Sequence, residues 1–380
     1  MRKDFLVNCC FFPTILIFLL VFLSCQLRNT DQKEARYGLS AYSPQTATGF
    51  RIYEAEGFRV MDITSADVVL EKFILVDRNE PLTHDFPEDG LVISIPVESM
   101  VCLSATHIAY ADALGLMDKI SGVASADYVV SAKFNELLKE GKIREIGIAD
   151  HFKVEQLIQL SPEIILATAQ QGQGYENLKN AGLTMVPLAE HLENHPLGRA
   201  EWIKCLGVLF GKEKEAMLIF DSISREYNRL KMLTLDVVNR PVVLSGKQYG
   251  GFWNLPGGKS YFAQMIDDAG ATYIWADNND SGSLMLDFEV VYDRGMDADF
   301  WRFLVWSRDG FSIERLIDED ARYAGLKAFK EKKILTCNTF EKPYFQRGLL
   351  EPHVILADYI SIFHPELLPD HQPVYYELLK

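Results

Sequence analysis

The feature that most constrains the fold is a long helical pattern in the middle of the chain. Residues 198–232 follow helical periodicity with a single break at Gly211. After this break, apolar side chains recur at alternating intervals of four and three residues and form one continuous face: Ala216, Phe220, Ile223, Tyr227 and Leu230. About 20 residues at a rise of about 1.5 Å each give a rod of roughly 30 Å, about the width of a domain. We therefore expect a stiff helical connection at residues 196–236 rather than a flexible linker.

Short apolar runs alternate with helical segments on both sides of this connection. We expect strands at residues 100–103, 120–124, 163–167 and 184–188 before it, and at residues 241–244, 273–275, 300–305 and 334–337 after it. Such alternation is typical of mainly parallel sheets. A chain of 380 residues that is 48% hydrophobic is long enough for two cores of this kind. The sequence predicts an α/β protein with two Rossmann-like lobes, at residues 91–195 and 237–380.

The N-terminus has the features of an exported protein. Two basic residues precede an apolar run at residues 11–23. At about 13 residues this run is short for a membrane span of about 20, but it fits a secretory signal. The run ends in the letters FLSC, which resemble a lipobox with Phe22 in place of the usual Leu or Val. We expect a signal peptide at residues 1–24 and lipidation of Cys25; an ordinary signal peptide or an uncleaved anchor is the alternative, and all three export the chain.

Two further segments lie between the signal and the first lobe. Residues 25–49 are largely polar and are expected to be a tether between the lipid and the folded domains. Residues 50–90 contain short β-like runs such as FRIY and FILV. These runs predict a β-rich N-terminal extension that packs on the first lobe.

Charge and motif content argue against several classes of function. The net charge is −15, so a phosphate backbone would repel the chain, and we expect no nucleic-acid partner. The sequence has no GxSxG or HExxH motif, and its PGGKS segment lacks the glycine spacing of a phosphate-binding loop. The three cysteines of the mature chain lie far apart in apolar stretches and are expected in the core: Cys102, Cys205 and Cys337. We expect neither enzymatic activity nor a cofactor.

Four segments occur along the chain in a fixed order. They are VCLSATHIAYADALGLMDKISGVAS, EIGIADHFKVEQLIQLSPEIILAT, GGKSYFAQMIDDAGATYIW and GLLEPHVILADYISIFHPELLPD. In this order they resemble the helical-backbone family of ABC-transporter substrate-binding proteins, those for ferric siderophores, haem and cobalamin. The resemblance covers about residue 92 to the C-terminus, and the last segment is like the tail of such lipoproteins in Bacteroidetes. It implies a two-lobed clamp that holds its ligand in a cleft between the lobes, closes by small motions and delivers the ligand to an inner-membrane permease dimer.

Glu155 and Glu289 occupy matching positions in the two lobes, in the segments GIADHFKVE and SLMLDFE. In the family, one glutamate of each lobe docks onto arginines of the permease, and the resemblance implies this role for both residues. Two separate carboxylates suit docking because arginine–carboxylate pairs fix orientation more than affinity. The alternative is that each is a solvated glutamate in the first turn of a helix, where the helix dipole favours it.

Loops that follow the predicted strands are expected to form the cleft, because open α/β folds bind ligands at the carboxyl ends of their strands. Aromatic faces suit a macrocycle or a catecholate ring, and basic side chains suit a negative chelate. The residues expected to contact the ligand come from these loops: His107, Tyr128, His151, Gln171, Lys247, Tyr249, Phe252, Trp253, Met285, Trp306, Arg308, Tyr344, Phe345 and Arg347. Each aromatic residue is equally compatible with the core. The two histidines are candidates for direct contact with iron, and a buried or hydrogen-bonding role is the alternative.

Together these patterns predict a monomeric periplasmic receptor, anchored to a membrane through Cys25, that captures a ferric siderophore or haem for an ABC importer. Cobalamin is the alternative ligand, because no residue in the sequence decides between these chelates. A secreted metal-dependent hydrolase that uses His107 and His151 is a more distant alternative. Direct binding of a bare metal ion is another, although such a site needs three or four converging histidines or carboxylates.

Overall fold

The computed structural model of the chain describes residues 40–42, 44–65, 68–80, 86–127, 129–148, 151–169 and 175–380. Cys25, Tyr128 and Gln171 lie outside these residues, as do the apolar run at residues 11–23 and most of the tether. Among the helices that the structure does describe, none is both long enough and apolar enough to cross a membrane.

An N-terminal sheet of five strands precedes the lobes. Its strands are β1 (Ser40–Tyr42), β2 (Phe50–Ala55), β3 (Phe58–Ser65), β4 (Val68–Asp77) and β5 (Leu91–Ile95), and they lie side by side in chain order. All neighbouring strands are antiparallel except β4 and β5, which are parallel. One face of the sheet joins the main core through Phe50, whose ring meets the Trp202 ring edge-on at 5.0 Å. The sheet is thus packed on the helical connection.

The first lobe is a parallel sheet with helices between its strands. In chain order it contains β6 (Met100–Cys102), α1 (Ala105–Ala113), β7 (Ile120–Val123), α2 (Ala132–Lys139), β8 (Arg144–Glu145), α3 (Val154–Leu160), β9 (Ile164–Thr168), α4 (Glu176–Asn180) and β10 (Met185–Leu188). The strand order is β10-β9-β6-β7-β8, and every pair is parallel. This order places the ends of β6 and β9 next to each other at the middle of the sheet.

Three helices connect the lobes, where the sequence predicts one helical stretch with one break. They are α5 (Pro196–Glu201), α6 (Ile203–Phe210) and α7 (Glu213–Leu233). Gly211 ends α6 in the left-handed conformation, with φ of +64°, as its position predicts. The predicted apolar face of α7 is buried in full: Ala216, Phe220, Ile223, Tyr227 and Leu230. The connection has an additional break at Trp202, which lies between α5 and α6.

The second lobe repeats the α/β pattern and adds a small antiparallel sheet. In chain order it contains β11 (Val242–Ser245), β12 (Lys247–Tyr249), β13 (Phe252–Pro256), α8 (Tyr261–Asp268), β14 (Thr272–Tyr273), β15 (Ser283–Leu286), α9 (Phe288–Gly295), β16 (Phe300–Val305), α10 (Ile313–Glu319), α11 (Lys327–Lys330), β17 (Ile334–Asn338), α12 (Tyr344–Arg347), α13 (Pro352–Phe363) and β18 (Glu377–Leu378). The main sheet has the order β14-β11-β16-β17-β18 and is parallel except for β18, while β12, β13 and β15 form the small sheet. The predicted fold class, two α/β lobes with mainly parallel sheets joined by helix, is confirmed.

Asp358 on α13 holds the C-terminal tail in place. Its buried carboxylate accepts hydrogen bonds from the backbone N–H groups of Val374 (2.9 Å), Tyr375 (2.6 Å) and Tyr376 (3.0 Å), and contacts His371 Nε2 at 2.7 Å. The tail also contacts the buried part of the second lobe, because the Tyr376 hydroxyl accepts a hydrogen bond from the buried Arg302.

Replacing Asp358 by Ala leaves these N–H groups buried without acceptors. We expect the free energy of unfolding to fall by about 3 kcal/mol, measured by chemical denaturation. Ser361→Ala is the control, because its hydroxyl donates only to the Asp358 carbonyl oxygen (2.9 Å), and it should cost about 1 kcal/mol or less. Equal losses in the two variants would show that the carboxylate does not fasten the tail.

Candidate ligand-binding cleft

Two cavities lie where the lobes face each other. The first chamber, of about 180 Å³, is bordered by Ser104 and Thr106 of the first lobe, Arg199 of α5, and Tyr261 and Tyr344 of the second lobe. The second chamber, of about 470 Å³, is bordered by His191, Glu193, Lys247, Tyr249, Tyr261 and Arg302. Tyr261 borders both chambers, so they form one cleft with residues from both lobes and from the connection.

The first chamber is bordered by a partly buried cation, Arg199. The Nε atom of Arg199 is buried and has no hydrogen-bond partner among the described residues, and its guanidinium lies 4.2 Å from the centre of the Tyr261 ring. Burial by itself lowers the pKa of Arg199, but Tyr261 and the nearby carboxylate of Glu190 raise it overall, so the side chain stays charged. No ion pair within 4 Å involves Arg199 in the described part of the chain.

Glu190 lies beside this cation in the 3₁₀ turn Glu190–Leu192, which follows β10. Its Oε1 atom accepts a hydrogen bond from the Thr106 hydroxyl at 2.6 Å, and its Oε2 atom is buried without a partner among the described residues. Thr106 belongs to α1, so this bond fixes the turn to the helix that opens onto the first chamber.

The second chamber contains a buried cation, Arg302 of β16. Its guanidinium donates hydrogen bonds to the hydroxyls of Tyr359 (2.9 Å), Ser245 (3.2 Å) and Tyr376, and lies 4.4 Å from the centre of the Phe262 ring. These partners are neutral hydroxyls, and no carboxylate pairs with Arg302 in the residues described. Burial lowers the pKa of Arg302, but Tyr359 and Tyr376 raise it overall.

The two cations are linked through a pair of aromatic rings. The Tyr261 and Phe262 ring centres lie 4.0 Å apart, with Arg199 against the first ring and Arg302 against the second. Both rings stand in the first turn of α8, whose N-cap is Ser260. The first chamber similarly borders the first turn of α1, whose N-cap is Ser104. N–H groups at helix N-termini favour negative charge, as arginines do, so these parts of the cleft favour the negative groups of a ligand.

Some predicted ligand contacts border the cleft and others lie elsewhere on the surface. Tyr344 and Phe345 border the first chamber, and Lys247 and Tyr249 the second. Arg347 instead borders a separate cavity of about 530 Å³, with Asp112 and His353. The remaining exposed candidates lie outside both chambers: His151, Phe252, Met285, Trp306 and Arg308.

His107 and Trp253 do not present side chains to a ligand, and their assignment to cleft loops is corrected. His107 is the third residue of α1 and not part of the loop before it, and its side chain is 0% exposed. Burial lowers its pKa to about 3, so the imidazole is neutral. Trp253 lies in β13, is 0% exposed, and donates its indole N–H to the Ser245 carbonyl oxygen at 3.1 Å. Cys102, Cys205 and Cys337 are free and buried, which confirms their predicted place in the core.

Sequence reasoning missed the residues that give the cleft its charge. Arg302 carried a readable signal, since it stands in the middle of the otherwise apolar strand FWRFLV, and charged residues are rarely buried without a reason. Arg199 carried a weaker one, because a charge within a helical pattern usually points to solvent. Across the described residues, no group of three or more His, Cys, Asp or Glu is arranged to hold a metal ion.

The two glutamates assigned to docking occupy equivalent positions. Glu155 is exposed in the first turn of α3, and Glu289 is 78% exposed in the first turn of α9. They differ in their surroundings, because Glu289 pairs with Arg322 at 3.1 Å. Asp320 also pairs with Arg322, at 2.6 Å.

Comparison with known proteins gives a family and a set of relatives. The sequence model of the periplasmic binding protein family matches residues 100–339. Two lipoproteins of Methanocaldococcus jannaschii, both named as uncharacterized, are similar in sequence. MJ0878 is 29% identical over 321 residues, which cover 79% of this chain and 74% of the relative. MJ0872 is 27% identical over 372 residues, which cover 93% of this chain and 92% of the relative.

Solved structures share the fold at low sequence identity. A periplasmic haem-binding protein from Pseudomonas aeruginosa aligns with a TM-score of 0.56 at 18% identity, covering 73% of this chain and 96% of that one. The molybdate-bound binding protein MolA of Haemophilus influenzae aligns with a TM-score of 0.58 at 16% identity, covering 72% and 88%. These likenesses confirm the architecture inferred from the four sequence segments.

The different surroundings of the two cleft arginines predict different costs of removing them. Arg199→Met removes a cation that has no ion-pair partner within 4 Å among the described residues and whose Nε has no hydrogen-bond partner there, so we expect the free energy of unfolding to stay the same or to rise. Arg302→Met leaves three buried hydroxyls without the donor that they accept from, so the free energy of unfolding should fall by about 2–3 kcal/mol. Chemical denaturation of both variants checks this, and a loss for Arg199→Met would mean that Arg199 serves the fold rather than the cleft.

Proposed function

The chain belongs to the periplasmic binding protein family of ABC transporters, and we propose that it captures an anionic iron chelate, a ferric siderophore or haem, between its lobes. The observation that carries this proposal is the pair of arginines in the cleft, Arg302 buried and Arg199 partly buried, neither of which forms an ion pair with a carboxylate within 4 Å among the described residues. In this proposal the protein delivers the chelate to the permease dimer of an ABC importer.

Physical chemistry connects these arginines with an anion. A buried cation without a counter-charge costs several kcal/mol, and a ligand that supplies negative charge offsets this cost. Arg302 is held by neutral hydroxyls, and the neighbouring Glu190 compensates Arg199 only at a distance. A ligand with negative groups near both cations would therefore gain from each of them, as well as from the two helix N-termini.

The walls of the cleft suit a ligand with flat rings. Tyr261 borders both chambers, Tyr344 and Phe345 stand at the first, and Tyr249 at the second. Such faces pack against a catecholate or a porphyrin. His191 borders the second chamber, and partial desolvation lowers its pKa, which favours the neutral imidazole that can approach a chelated metal ion. The Pseudomonas aeruginosa protein that shares this fold is a haem-binding protein, which supports haem as one candidate.

Delivery requires attachment to the membrane and contact with a permease. The signal, the FLSC letters and the relatives named as lipoproteins support lipidation of Cys25 and a position in the periplasm, anchored to a membrane. Glu155 and Glu289 are the proposed contacts for permease arginines, since they are exposed at matching sites of the two lobes. We propose that the receptor acts as a monomer, with one lobe on each half of the permease.

The first test is a calorimetric titration with haemin, a ferric tricatecholate, ferric citrate, cyanocobalamin and zinc chloride. We expect one of the three anionic iron complexes to bind with a Kd of about 1 μM or lower, and Arg199→Met to weaken that binding by about tenfold or more. Arg308→Met is the matched control, because Arg308 lies outside both chambers, 5.5 Å from the centre of the Phe340 ring. Binding of cyanocobalamin alone would select the corrinoid alternative, and binding of zinc alone would contradict the proposal.

The second test separates docking from ligand binding. Glu155→Gln with Glu289→Gln should reduce cellular uptake of the bound chelate by about tenfold or more, since each charge-assisted pair contributes about 1.5–3 kcal/mol, while the Kd stays unchanged. Glu314→Gln is the control, because Glu314 is another exposed glutamate in the first turn of a helix, α10. Normal uptake in the double variant would show that the two residues are ordinary solvated glutamates.

A further inference from the structure

Two buried carboxylates hold a short stretch of backbone, residues 45–49, which we call the anchor segment. Glu201 accepts hydrogen bonds from the backbone N–H groups of Gln45 (2.8 Å), Thr46 (2.7 Å) and Ala47 (2.9 Å). Glu193 accepts hydrogen bonds from the N–H groups of Thr48 and Gly49, both at 2.9 Å. Five consecutive N–H groups thus donate to two side chains, an arrangement that neither a helix nor a strand would produce.

Further bonds complete each carboxylate. Glu193 also accepts the indole N–H of Trp202 at 2.9 Å and the Thr48 hydroxyl at 3.1 Å, and Glu201 pairs with Lys204 at 2.6 Å. Both glutamates are almost fully buried. Charge-assisted bonds of this kind are about twice as strong as neutral ones, so the anchor segment is firmly attached.

Close packing around Glu193 excludes side chains on either side of it. A Cβ atom on Gly49 would lie 2.6 Å from Cζ2 of Trp202 and 3.2 Å from Oε1 of Glu193. A Cβ atom on Gly198 would lie 3.0 Å from Oε2 of Glu193. The carboxylate therefore fills the space between the anchor segment and α5 and lies against both.

Glu193 also belongs to the wall of the cleft. It borders the second chamber, and the turn directly before it carries Glu190 and His191. The helix after it, α5, carries Arg199. Glu201 lies at the other end of α5 and borders neither chamber. One of the two carboxylates is thus shared between the anchor segment and the cleft, and the other binds the anchor segment without bordering the cleft.

We infer that the anchor segment contributes to the ligand site. Glu193 is the positioning residue, because its carboxylate attaches the anchor segment to the cleft wall at residues 190–199. Docking of the anchor segment and occupancy of the cleft then stabilise each other, since coupling between two sites is reciprocal. The coupling to occupancy rests on the proposed function, whereas the attachment to the cleft wall does not. The anchor segment lies outside residues 100–339, so the match to the family sequence model does not include it.

The test compares Glu193→Gln with Glu201→Gln by hydrogen–deuterium exchange and mass spectrometry, on the full protein without ligand. A glutamine turns an NH₂ group toward N–H donors and leaves some of them without an acceptor, so exchange in residues 45–49 should rise in both variants. Exchange in residues 190–199 should rise about tenfold or more in Glu193→Gln only, a factor that corresponds to about 1.4 kcal/mol of local opening. No change there in Glu193→Gln, or an equal rise in Glu201→Gln, would overturn the inference.

Gly49→Ala gives a second route to the same result if Glu193→Gln does not fold. It keeps both carboxylates and displaces the anchor segment through the contact with Trp202, and the same exchange pattern is expected. For any probe of the titration panel that binds, the Kd should rise about tenfold in Glu193→Gln and Gly49→Ala and stay within about twofold in Glu201→Gln. If no probe binds, the proposed function fails, and the exchange experiment still decides whether the anchor segment positions the cleft wall.

Discussion

The arrangement of the cleft depends on one constraint. The Arg199 guanidinium is partly buried without an ion-pair partner among the described residues. The charge is carried on the connection, lies against Tyr261 of the second lobe, and has Glu190 of the first lobe nearby. Water would solvate such a cation far better than the protein does. Tyr261 and Glu190 offset part of this cost, so the surroundings of the cation come from all three parts of the molecule that enclose the space between the lobes.

The rest of the fold supplies that rigidity. The apolar face of α7 lies in the main core, and α13 packs against this helix. The connection is therefore part of the packed core and not a free-standing span between the lobes. The lobes also touch directly, because the Val130 N–H donates to Oε1 of Gln346 at 2.6 Å. A clamp built in this way changes shape by small shifts of packed elements, not by a wide hinge. Its ligand must consequently fit chambers that are largely formed in advance.

The framework could be predicted from the sequence better than the site, and particular residues show why. Burial requires apolar side chains, and this requirement is visible in the apolar run FWRFLV and in the helical spacing from Ala216 to Leu230. The strands and the long helix could therefore be located from the sequence. The pattern places His107 wrongly, because this residue lies within α1 with its side chain buried and not in the loop before the helix. Several partners of Arg199, Arg302 and Glu193 lie far away in the sequence, such as Tyr261, Tyr359 and the backbone N–H of Gly49, so the sequence does not show which groups these charges meet. The matching positions of the two exposed glutamates depend on a motif rather than on packing and could be located, while their docking role stays a prediction.

The proposal that the cleft binds an anionic metal chelate is most directly tested by native mass spectrometry of the protein, isolated gently from iron-limited cells. We expect one small molecule per chain, containing iron and an organic chelator and carrying net negative charge. A bare metal ion, or a neutral or cationic organic ligand bound at the same stoichiometry, would contradict this assignment of the cleft.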